Sequence, residues 1–215
     1  MTRSLFYPCC GTTDLLTAME GFAHLADSVH GADPDHRVAA GLRRRWRLEL
    51  QRESPHRFTP ELSPPHASGV RKIDPRATIA DRGTRHEYLA KRIGSDGAPL
   101  PFIWHQYDAV EALNHVESIA VFFFRRDGPQ DGEGSSGIRW LDEPLLGRVL
   151  LKLAPNGLFV TDGARMTGDA PQELLWKAPA LSAPVGVEFK AHERSLRCES
   201  VFCTRIRPTL VWRVS

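Results

Sequence analysis

The residues best equipped for chemistry crowd into one stretch, from Arg125 to Gly137. It holds two arginines (Arg125, Arg126), three acids (Asp127, Asp131, Glu133) and four glycines. Arginine beside a carboxylate suits phosphate-ester chemistry; acids in a Gly-rich loop also serve simply as solvated groups. The stretch directly follows Ser118-Ile119-Ala120-Val121-Phe122-Phe123-Phe124, a run with almost no polar atoms. Such a run predicts a strand buried on both faces, at the centre of a parallel sheet. In open parallel sheets ligands bind beyond the carboxyl ends of the strands. Chemistry or binding is therefore expected in the loop over residues 125–137.

Two further groups have the spacing of a binding site. Ser4-Leu5-Phe6-Tyr7 reads as a short strand, Pro8-Cys9-Cys10-Gly11-Thr12-Thr13-Asp14 as a turn, and Leu15, Leu16, Ala18, Met19 and Phe22 as a helix. Thr12, Thr13 or Asp14 can cap that helix. A turn of small residues at a helix N-terminus exposes backbone N–H groups and suits a cofactor or an anion, or is a plain connection. Asp33 closes a second short strand about twenty residues further on, where dinucleotide folds place an acid on a ribose; an Asp before Pro34 is also a common turn residue.

Positioning these residues requires a series of strands and helices. Leu100 to Tyr107 predicts a third strand carrying His105 and ending at Asp108-Ala109. Val110, Leu113 and Val116 mark a short helix that delivers the central strand. Leu145, Leu146, Val149, Leu150 and Leu153 mark another helix, stopped by Pro155-Asn156-Gly157. Leu158 to Thr161 continues as a strand. Residues 185–197, broken by a bend, then 200–205 and 209–214 read as terminal strands, with Pro208 in a hairpin turn. Between Asp35 and Leu100 the periodicity blurs. Trp46, Leu48 and Leu50 alternate with charges as an outer strand would. Ser54 to Gly69, with four prolines, reads as loop, and Thr84 to Ile93 fits strand or helix.

Composition sets the bounds. The 215 residues suffice for one α/β domain with a sizeable core, and 41% hydrophobic with 25% charged residues is ordinary for a globular chain. A formal charge of +2 does not by itself imply nucleic acid, yet seven arginines and two glutamates fall between His36 and Arg57. The Arg43–Arg57 segment is a possible meeting point for a phosphate-bearing partner, or a solvated face. No apolar run approaches the roughly 20 residues of a membrane span, and Met1 to Pro8 is too short for a signal peptide, so no membrane partner and a cytoplasmic address are expected. Cys9, Cys10, Cys198 and Cys203 do not follow common zinc spacings, and no metal is expected.

This order of elements resembles the Rossmann-like fold of S-adenosylmethionine-dependent methyltransferases. The stretch from Leu150 to Asp162 looks like that family's helix, turn and following strand. Asp108-Ala109 looks like its adenine-side motif, Asp33 stands where its ribose-binding acid would be, and Tyr7-Pro8-Cys9-Cys10-Gly11-Thr12 takes the place of its glycine-rich first turn. That turn carries only Gly11, and no Asn/Asp-Pro-Pro-aromatic motif follows the central strand. The resemblance implies an α/β three-layer sandwich with a mainly parallel central sheet and a C-terminal antiparallel hairpin. It implies a single domain over residues 1–215 with an insertion at about 35–100. It further implies S-adenosylmethionine held by Cys9, Cys10, Gly11, Thr12, Asp33 and Asp108. Asp127, Asp131, Glu133 and His105 stand as candidate bases or ligands toward an acceptor, small or macromolecular, that the residues do not define. The alternative is a non-catalytic binding or regulatory module on the same fold.

Overall fold

The computed structural model describes residues 2–8, 18, 21–33, 40–41, 43–44, 48–57, 82–91, 99–124, 140, 144–161, 185–186, 188–203 and 208–215. Ten strands form one sheet: β1 (Arg3–Pro8), β2 (Ser28–Ala32), β3 (Glu49–Arg57), β4 (Arg82–Lys91), β5 (Pro99–Gln106), β6 (Ser118–Phe124), β7 (Leu153–Thr161), β8 (Glu188–Ala191), β9 (Arg194–Cys203) and β10 (Pro208–Val214). Their order across the sheet is β3-β4-β5-β2-β1-β6-β7-β10-β9-β8.

The centre is parallel. β5, β2, β1, β6 and β7 run the same way, joined by four parallel pairings. Every residue of β6 is buried, as its unbroken apolar run requires of a strand covered on both faces. The whole sheet is not mainly parallel, which corrects the expectation from sequence. Five antiparallel pairings flank the centre, β3–β4 and β4–β5 on one side and β7–β10, β10–β9 and β9–β8 on the other. The physical reason is connection length. Parallel neighbours need crossovers, whereas only two residues separate β8 from β9 and four separate β9 from β10, spacings too short for a crossover. The β8–β9 turn holds His192 and Glu193, both at positive φ, as a two-residue hairpin loop demands.

The stretch over 35–100 contributes β3 and β4, which extend the sheet beyond β5. β3 runs through Arg57, so residues 54–57 are strand rather than loop. Helix α1 (Ala109–Asn114) follows β5, and helix α2 (Leu145–Lys152) precedes β7. No Asn-Gly stop ends α2. It passes straight into β7 at Leu153, and the Asn156-Gly157 kink lies inside the strand. The pairing with β6 jumps there from Ile119↔Leu153 to Val121↔Leu158. Asn156 takes φ 62°, and a Cβ on Gly157 would stand 2.8 Å from the Ala154 carbonyl oxygen.

Two apolar clusters cover the two faces. One joins Phe6, Phe122, Trp140 and Phe159 to α1 and α2; the other joins Tyr7, Phe102, Trp104 and Phe123 to Ala18, Phe22 and Ala23. Layers therefore lie on both sides of the sheet.

Candidate site at the carboxyl edge of the parallel strands

Numbered along the chain, the five parallel strands stand third-second-first-fourth-fifth. That is the doubly wound order, with its reversal between β1 and β6. The carboxyl ends of β2 and β5 lie side by side next to this point, because Ala32 is in register with His105. The Asp33 amide N–H donates to the His105 carbonyl at 3.1 Å, which fixes the half-buried Asp33 against the end of β5. Asp108 lies just past that end. Its Oδ1 accepts from the Val110 and Glu111 amides at 2.7 and 3.3 Å, capping α1. Two carboxylates are thus delivered to neighbouring strand ends.

His105 is fully buried on β5 rather than lining an open surface. Its Nε2 lies 3.1 Å from His30 Nδ1 and its Nδ1 lies 2.6 Å from the Tyr107 hydroxyl. His30 is 5% and Tyr107 2% exposed, and the rings of His105 and His115 stack at 6.4 Å. Burial pushes His30 down to about 3, helped by the positive charges of Arg85 and, when protonated, His115. Burial pushes the Tyr107 phenol up; Arg85 opposes this and Glu111 adds to it. Gly83 makes room for Tyr107, because a Cβ there would stand 2.6 Å from the Tyr107 Cβ.

On α1, Glu111 is buried and lies 3.7 Å from His115 Nε2. Asn114 donates to its other oxygen at 3.3 Å, and Arg148 of α2 donates to Asn114 at 2.6 Å. His30 and Tyr107 were not singled out from sequence. The available signal was the period of two, which puts His105 and Tyr107 on one face of β5.

Asp33, Asp108 and His105 are therefore brought to one corner of the sheet. Cys9, Cys10, Gly11, Thr12, Asp127 and Glu133 lie outside the described residues. In the arginine-rich segment, Arg43, Arg44 and Arg52 are exposed, and Glu53 lies 3.3 Å from His86 Nδ1. Among the described residues no group of three His, Cys, Asp or Glu is placed to hold a metal ion, and no helix is long and apolar enough to cross a membrane.

No family model and no curated protein matches the sequence. Among solved structures the chain is similar to an rRNA methylase from Streptococcus thermophilus, at 10% identity and a TM-score of 0.42, over 99% of this chain and 86% of that one. Similarity at that level decides neither fold nor activity. Strand order and site define the class: a mixed-sheet α/β protein of the Rossmann-like, doubly wound kind.

Proposed function

We propose that this protein is an S-adenosylmethionine-dependent methyltransferase acting on an acceptor still to be defined. One observation carries the reading: Asp33 and Asp108 stand at adjacent carboxyl ends beside the reversal point of a doubly wound sheet. The donor set fits an adenosyl group. Ribose hydroxyls and an exocyclic amine are hydrogen-bond donors, and two carboxylates are acceptors. Asp33 would take the ribose. Asp108 would take the adenine through Oδ2, since Oδ1 is committed to the α1 amides. Cys9, Cys10, Gly11 and Thr12 would face the methionine part, and Asp127 and Glu133 the acceptor.

When bound, S-adenosylmethionine supplies an electrophilic methyl group. The chain's own task is to hold the acceptor in line with it and, where needed, remove a proton. His105, closed off in the interior, would act on the site by position rather than by touching the acceptor. Exposed Arg43, Arg44 and Arg52 would meet a phosphate-bearing partner, and the cytoplasm is the proposed address.

The second reading is a non-catalytic module, favoured by the single glycine of the first turn, where Cys9 and Cys10 add side chains. A thermal shift separates the two. A ligand that binds only the native state must raise Tm. S-adenosylmethionine or its demethylated product is expected to do so; no shift at millimolar concentration favours the module.

A further inference from the structure

We infer that His30, His105 and Tyr107 form an acid-sensitive latch that holds together the carboxyl ends of β2 and β5. The inference rests on geometry and does not depend on the methyltransferase reading. The three side chains form one continuous hydrogen-bonded chain across two strands, His30 Nδ1 to His105 Nε2 and His105 Nδ1 to the Tyr107 hydroxyl. The same His105 gives its carbonyl oxygen to the Asp33 amide, so side chain and backbone of one residue tie both strand ends. The absence of a side chain at Gly83 leaves the space that Tyr107 fills.

Proton bookkeeping makes this chain sensitive to acid. In the neutral state each link holds one proton, and two tautomeric arrangements satisfy it. Either Tyr107 donates to His105 and His105 to His30, or His30 donates to His105 and His105 to Tyr107. One extra proton preserves the links, because a cationic His105 donates in both directions. It places a positive charge where water is excluded, however. A second extra proton puts two hydrogens into the single His30–His105 link and breaks it.

Among the described residues, the charged and titratable groups around the chain are Arg85 on β4 with its ion-pair partner Glu87 at 3.3 Å, Glu111 on α1, His115 after α1, and Asp33 and Asp108 at the strand ends. Arg85 is in register with His105, so it shares its face of the sheet. Burial disfavours a proton on His30 most, and Arg85 and His115 disfavour it further. An opened edge, with the imidazoles in water, takes the proton at the ordinary value of 6.5. Acid therefore favours the opened edge, and the effect is flat above that value.

The test is amide hydrogen exchange followed by NMR, with each rate divided by its intrinsic rate at the same pH. The Asp33 amide reports the latch, and the amides of Val121 to Phe123 report global opening. Asp33 protection is expected to fall at least tenfold per pH unit below 6.5, a factor of ten for each proton taken up on opening, while the β6 amides stay protected. In the double variant His30→Asn, His105→Gln, the Asn amide stands in for His30 Nδ1 and the Gln amide for His105 Nε2, so the link between the strands is kept without a group that titrates, while the bond from Tyr107 to His105 Nδ1 is given up. Its Asp33 protection is expected to be flat with pH. Unchanged Asp33 protection in the wild type, a parallel loss in β6, or acid opening retained in the variant would each overturn the latch. Should the variant not fold, wild-type imidazole ¹⁵N shifts decide. A neutral His30 at pH 5 supports the latch, and a His30 that titrates at its ordinary value overturns it.

Discussion

Asp108 caps a helix with one oxygen and, in the proposed reading, would hold a ligand with the other. Its Oδ1 accepts from two amides at the start of α1, a role that asparagine fills about as well as aspartate. The ligand role assigned to Oδ2 gains from charge, because bonds to charged groups are stronger. Asp108→Asn is therefore expected to leave the denaturant midpoint unchanged to within about 0.5 kcal/mol while weakening adenosyl binding, whereas Asp108→Ala loses about 1 kcal/mol of stability as well. Equal losses of stability in both variants would reduce Asp108 to its charge at the helix start. That Asp33 and Asp108 follow strand ends was legible in the sequence, because acids after apolar runs are local signals. The His30–His105–Tyr107 chain was not. His30 and His105 meet only because β2 and β5 are neighbours, a fact about pairing that no local pattern carries.

Elements with a strong local signal could be read directly. β6 is the clearest, with seven buried residues and Phe123 packed against Tyr7 and Phe22 at 5.1 and 5.8 Å between ring centroids. Phe123→Ala is expected to cost about 3–5 kcal/mol by lost transfer energy plus a cavity, read from denaturant unfolding. A loss under about 1 kcal/mol would place the ring outside the core. Asn156-Gly157 misled, since the pair is a common helix stop and here forms a kink within β7. The distinction lies in tertiary contact: the Gly157 position faces the carbonyl oxygens of Ala154, Ile119 and Ala120. Gly157→Ala is expected to cost about 1–3 kcal/mol through overpacking against backbone that cannot yield. An unchanged melting temperature would show that β7 can shift to accept the methyl group.

At the scale of the molecule, the parallel centre followed from the alternation of strands and helices, and the antiparallel β9–β10 pair was expected around Pro208, although Pro208 is the first residue of β10, paired with Cys203, rather than part of the turn. The flank at β3 and β4 was obscured because its strands are rich in charge. Burial in β4 is intermediate at five of the eight positions described, and Gln51, Arg52 and Pro55 of the edge strand β3 are exposed, which blunts further pairing. The doubly wound centre is thereby bracketed, and its carboxyl edge lies between two antiparallel wings. The carboxyl ends of β2 and β5 form the part of that edge where Asp33 and Asp108 stand.

The central claim is that this edge binds an adenosyl cofactor. Titration calorimetry of the wild type and of Asp33→Ala with the demethylated product of S-adenosylmethionine tests it most directly. The account predicts binding heat for the wild type and an affinity weaker by roughly 1–3 kcal/mol for the variant, the loss of a hydrogen bond to a charged group. No heat from folded wild-type protein at millimolar ligand, or equal affinity in the two proteins, would contradict it.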